Sequence, residues 1–108
     1  MLFRSSLFME NAAGTIARIA VDAGASGIQA PGNRPDRVSA LRKIVGTEKT
    51  VIACGMGFQG GETGSALRAG ADFELYGRSI YEAQDPREAA KQISIALRRA
   101  DLSADLNT

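Results

Sequence analysis

Histidine and tryptophan are absent from the 108-residue sequence, and Cys54 is its single cysteine. The first absence removes imidazole acid–base catalysis and the commonest zinc ligand together. A single cysteine excludes an intrachain disulfide. A thiol nucleophile needs a neighbouring base to hold it as thiolate, so Cys54 reads as a small, apolar-like residue at a strand end. No metal constellation is visible, and nothing calls for a cofactor. Excess charge of one sign is lacking too: 13 Lys and Arg stand against 12 Asp and Glu, for a net charge of +1. That balance excludes nucleic-acid binding through a broad basic surface. No apolar run approaches the roughly 18 residues of a transmembrane helix. The opening stretch, residues 1–9, is apolar but short, and it carries Arg4 without the layout of a signal peptide. The expectation is a soluble, cytoplasmic protein with no membrane partner. A complete (β/α)8 barrel needs about 250 residues, so the length fits one compact domain, residues 1–108, and excludes a whole barrel.

What is present alternates between helical and strand signals, the pattern of parallel α/β structure. There is no linker, low-complexity run or clean internal repeat. Ile16, Ile19, Ala20 and Ala23 recur at helical spacing, and Gly24 follows as a stop. Gly27–Ala30 is a short strand ended by Pro31-Gly32. A helix from about Pro35 carries Val38, Leu41 and Val45 as far as Gly46. Thr50–Ala53 is the clearest strand, β-branched and apolar enough to be buried. A helix over about 63–69 ends at Gly70, and Phe73–Tyr76 forms a third strand. The last helix starts at Asp85-Pro86, with Asp85 as its cap. It presents Ala89, Ala90, Ile93, Ala96 and Leu97 on one face and frays after Leu102. The sum is an N-terminal helix followed by three parallel strand–helix units.

Parallel strands place their C-terminal ends on one rim, where ligands bind in such folds. Residues 31–34, 54–62 and 77–79 fall there. Gly55–Gly61 holds four glycines in seven residues. Without Cβ atoms, backbone N–H groups can crowd around an anion, although glycine richness alone also fits a plain connector. Arg78 follows Gly77 at a strand end, where its guanidinium can take a phosphate through two charge-assisted hydrogen bonds. Gln59 can bridge a phosphate and a neighbouring group through its amide. Arg34 is expected in a structural role, paired with Asp36 or another acid, rather than in contact with a ligand, and Tyr81 to pack on the terminal helix. Lys43, Lys49 and Lys91 are the only lysines, and none is placed for chemistry on this rim. Glu62 is the only acid in the three segments, a poor catalytic set by itself.

Several strings together resemble the orotidine 5'-monophosphate decarboxylases, especially the archaeal type. They are Ile28-Gln29-Ala30-Pro31-Gly32-Asn33-Arg34-Pro35-Asp36-Arg37 and Cys54-Gly55-Met56-Gly57-Phe58-Gln59-Gly60-Gly61. Gly70-Ala71-Asp72, Gly77-Arg78-Ser79-Ile80-Tyr81 and Asp85-Pro86 complete them, in matching order and spacing over nearly all of residues 8–100. The resemblance implies a partial TIM barrel, a half-barrel from the C-terminal half of that fold. It implies that Gln59, Gly77 and Arg78 hold the substrate's phosphate, with Gly57 and Gly60 contributing to the same phosphate-binding rim. It also implies that Cys54, Gly55, Met56 and Phe58 line a nucleotide pocket.

The family's Asp-x-Lys-x-x-Asp motif and further lysine lie in its first half, and no such motif occurs in this sequence. Cys54 stands where the family usually has proline. Gln29 and Glu74 stand at strand positions that are usually apolar, which implies surroundings unlike an intact barrel interior. The resulting expectation is a carboxy-lyase-like half that binds a phosphorylated small molecule, such as a pyrimidine nucleotide, and is not catalytic alone. One alternative is half of a split decarboxylase, converting orotidine to uridine 5'-monophosphate once another chain completes it. Another is a diverged relative of the hexulose-phosphate synthases. A three-stranded open sheet exposes two edges and one apolar face, so a homo-oligomer, most simply a dimer, or a complementary half-barrel is expected.

Overall fold

The computed structural model describes residues 2–57 and 61–106, with side chains described for residues 12–57 and 61–102. Helix α1 (Leu2–Asp22) leads into β1 (Gly27–Pro31), α2 (Pro35–Val45) and β2 (Thr50–Cys54). Then come α3 (Ser65–Ala69), β3 (Phe73–Glu74), the short α4 (Arg78–Tyr81) and α5 (Pro86–Leu106). The strands form one parallel sheet in the order β1-β2-β3. A helix followed by three strand–helix units is therefore the architecture, and it is that of a partial barrel rather than a closed one.

Side chains alternate across the sheet with a period of two residues. Val51 and Ala53 of β2 are fully buried beneath the helices, and Ala30 sits beside Ala53 in register. Val38, Leu41 and Val45, at helical spacing on α2, close over them as the sequence predicts. The other face carries the cross-strand row Gln29, Ile52 and Phe73, with Gln29 and Phe73 exposed. No helix among the described residues is long and apolar enough to cross a membrane.

Three local expectations need correction. The inward face of α1 is not the Ile16–Ile19 stripe, because both residues are exposed. Ala17 is buried instead, with Ala13 and Val21 packed against the core; small side chains let α1 lie close to α2 and β1. The third strand pairs only over Phe73–Glu74. The Leu75 N–H still reaches the Ala53 carbonyl at 2.8 Å, but Tyr76 has turned away toward the rim. Helix α5 continues to Leu106 rather than fraying after Leu102. It is anchored as foreseen at its start, where the Glu88 N–H donates to the Asp85 carboxylate at 3.1 Å. Glu74, a polar residue at a strand position where an apolar one is usual, faces the helices.

The reason is plain from its partners. The Glu74 carboxylate accepts the N–H groups of Gly64 at 2.9 Å and of Ala66 and Leu67 at 3.0 Å. These are donors at the start of α3, which no preceding residue satisfies, and the negative charge suits that helix end. Gln29, by contrast, lies exposed on the opposite face of the sheet.

At the N-terminal end of the sheet, one arginine ties three elements together. Arg42 donates from Nε to the Gly70 carbonyl at 2.8 Å and from Nη1 to those of Gly46 and Lys49 at 2.9 and 2.6 Å. Its Nη2 meets the Asp72 carboxylate at 2.6 Å, and the same Asp72 oxygen accepts the Val51 N–H at 2.9 Å.

Candidate functional site

The opposite, C-terminal end of the sheet brings the three sequence-predicted loops together. After β1 the chain turns at Gly32, whose N–H donates to the Cys54 carbonyl at 2.6 Å. A Cβ at Gly32 would collide with the Met56 sulfur and lie 2.8 Å from that carbonyl, so only glycine lets the first loop sit on the second. Cys54, the last residue of β2, is partly buried and free.

The second loop is closed at its neck. Met56 and Gly61 form a parallel bridge, and the Gly57 N–H donates to the Gly61 carbonyl at 2.9 Å. Gly57 takes a φ of +75°, a conformation costly for other residues, and a Cβ there would strike the Ser79 hydroxyl. The glycine-rich loop therefore touches the Gly-Arg loop directly. Phe58, Gln59 and Gly60, three of the residues that the motif resemblance assigns to the ligand, lie outside the described residues.

Between these loops lies a concavity of about 510 Å³. Gly55, Met56, Gly77 and Arg78, all predicted from sequence, line it. Arg78 opens α4, is exposed, and makes no ion pair among the described residues. Arg34 is placed differently. It spans 3.4 Å to the Asp36 carboxylate, and that guanidinium holds the Asp36 carboxyl below its ordinary range. The structural role expected for Arg34 is therefore present in the fold.

Sequence reasoning missed the aromatic wall of this concavity. Tyr81 does not pack away on α5: it is 65% exposed, lines the concavity, and its ring lies beside Gly77. Leu75 and Tyr76 complete the lining. A tyrosine three residues beyond a Gly-Arg pair on a short helical turn returns to the same side, which is the signal that was available.

Tyr76 is fixed from behind, its hydroxyl donating to Glu74 Oε1 at 2.7 Å. Burial, and the carboxylate facing it, push the phenol well above its usual range, against a smaller opposite effect of Thr63. A raised folded-state pKa means this stability is fully present below the unfolded value of about 10 and is lost as pH climbs above it. Alkaline titration is therefore expected to start unfolding the protein from about pH 10 upward, and Tyr76→Phe to flatten that decline. Circular dichroism against pH checks this; an unchanged profile for the variant refutes it.

No protein-family profile matches the chain. The orotidine 5'-phosphate decarboxylase of Methanosarcina mazei is 49% identical over 87 residues, covering 81% of this chain and 40% of the relative. That of Methanococcoides burtonii is 51% identical over 86 residues, covering 80% of this chain and 40% of the relative. Among solved structures, the orotidine 5'-phosphate decarboxylase of Pyrococcus horikoshii superposes with a TM-score of 0.72 at 39% identity. It shares 79% of this chain and 41% of its own. The resemblance carried by the motifs thus extends to overall sequence and to fold. The chain spans about 40% of the length of the curated relatives it matches.

Proposed function

We propose that this chain is an orotidine 5'-monophosphate decarboxylase-like half-barrel whose C-terminal rim binds the phosphate of a small phosphorylated ligand, a pyrimidine nucleotide by class. The observation that carries this reading is the junction of the two rim loops. Gly57 meets Ser79 without room for a Cβ, and the exposed Arg78 guanidinium borders the adjoining concavity. A glycine-rich loop and, beside it, a guanidinium with no ion-pair partner among the described residues are a chemical match for a phosphate dianion. Gln59, Gly57 and Gly60 would complete the phosphate contacts, with Cys54, Gly55, Met56 and Phe58 around the rest of the ligand.

The chain is not catalytic by itself on this reading. The motif resemblance places the family's lysine and aspartates in a segment that this sequence lacks, and none of the three lysines stands in a rim segment. Uridine 5'-monophosphate and inorganic phosphate are expected to raise the thermal midpoint. Arg78→Ala is expected to weaken uridine 5'-monophosphate binding by about 10- to 100-fold, the worth of a lost charge-assisted pair. Protection by neither ligand sinks the phosphate site. Consumption of orotidine 5'-monophosphate by the wild-type chain alone, abolished in Arg78→Ala, sinks the non-catalytic reading.

A further inference from the structure

The main-chain ladder of β3 stops short of the residues that reach the rim. Its last hydrogen bond to the sheet runs from the Leu75 N–H to the Ala53 carbonyl. Among the described residues, the backbone hydrogen bonds of residues 76–79 lead only forward into α4: Ile80 and Tyr81 donate to the Gly77 carbonyl, and Glu82 to that of Arg78. Arg78 therefore stands on a stretch of backbone that the sheet does not hold. Side chains supply the hold instead. One tie is Ser79, which touches Gly57 on the neighbouring loop.

The other tie is Tyr76, one residue before Gly77-Arg78. Its ring packs against the core and also lines the rim concavity beside Arg78. Its hydroxyl donates to Glu74 Oε1 at 2.7 Å, and Glu74 is the last residue of β3 in register with β2. That anchor is itself immobilised, because the same carboxylate accepts the N–H groups of Gly64, Ala66 and Leu67. An apolar side chain at either position would fill space without making the link. We infer that Glu74 and Tyr76 are positioning residues for the rim, and that the link between them sets where the Arg78 guanidinium stands toward an anion. The inference rests on the phosphate reading above. A guanidinium grips phosphate through two parallel hydrogen bonds, a geometry that is lost when its backbone shifts even though every ligand contact is still present in the sequence.

The test is calorimetric titration with uridine 5'-monophosphate, up to millimolar ligand, of the wild-type chain, Tyr76→Phe, Arg78→Ala and the double variant. Phenylalanine keeps the ring in the core and removes only the link. All four are compared well below their melting midpoints, set by circular dichroism. Tyr76→Phe should weaken binding about 5-fold, the worth of one hydrogen bond carried into the site. In the Arg78→Ala background the same change should cost less than about 2-fold, because no guanidinium remains to be placed. A purely structural role for the hydroxyl would not distinguish the two backgrounds. Unchanged affinity in Tyr76→Phe, or an equal loss with and without Arg78, overturns the inference and leaves the phosphate site standing. Failure of the wild-type chain to bind overturns the phosphate reading itself, and this inference with it.

Discussion

Replacing Arg42 with alanine is expected to lower folding stability by about 2–4 kcal/mol, a large share of the 5–15 kcal/mol that holds a domain of this size. The side chain is only 17% exposed and donates to three carbonyls and one carboxylate. These acceptors belong to the end of α2, the entry to β2 and the turn between α3 and β3. Truncation strips them of a shared donor and leaves Asp72 with the Val51 N–H but no countercharge. Lysine should not rescue the variant, since one ammonium on a flexible stem cannot reproduce a planar fork aimed at four acceptors. Urea denaturation decides the matter. Loss of less than about 0.5 kcal/mol in Arg42→Ala, the range of ordinary surface changes, refutes the assignment.

The second large effect is expected at Glu74. Glu74→Ala should cost about 2–4 kcal/mol, because three backbone N–H groups and the Tyr76 hydroxyl lose one shared acceptor. The informative companion is Glu74→Leu. If the residue were a polar intrusion into an apolar strand, leucine would stabilise the protein. As a cap for α3, it should destabilise almost as much as alanine does. A Glu74→Leu protein melting above the wild type overturns the capping role. Glu74→Gln should fall between, since it keeps one acceptor oxygen but loses the charge that favours the helix start.

Glu74 also shows where sequence reasoning stops. Its position on a strand is readable from the flanking residues, but the face it occupies depends on sheet register, and β3 pairs with β2 over only two residues. Elements with strong punctuation are legible: α2 and α3 stop at Gly46 and Gly70, and Asp85 caps α5, as their residue types indicate. The inner face of α1 is not, because hydrophobicity favours Ile16 and Ile19 while packing distance favours Ala13 and Ala17. At the rim, the glycines and Arg78 are predictable from composition and position. The contact between Gly57 and Ser79 is tertiary and has no local signature. Tyr81 is missed for a related reason, since an aromatic residue near a terminal helix usually packs on it.

The bridge between Met56 and Gly61, with the Gly57 N–H donating across it, pinches the glycine-rich loop shut where it leaves the scaffold. Among the described residues, Gly32, Met56 and Gly61 fix the loop to the sheet, and Gly57 seats it against Ser79. Each of these contacts leaves no room for a Cβ on its glycine, so adding a side chain at any one of the three glycines shifts where the whole loop stands relative to Arg78.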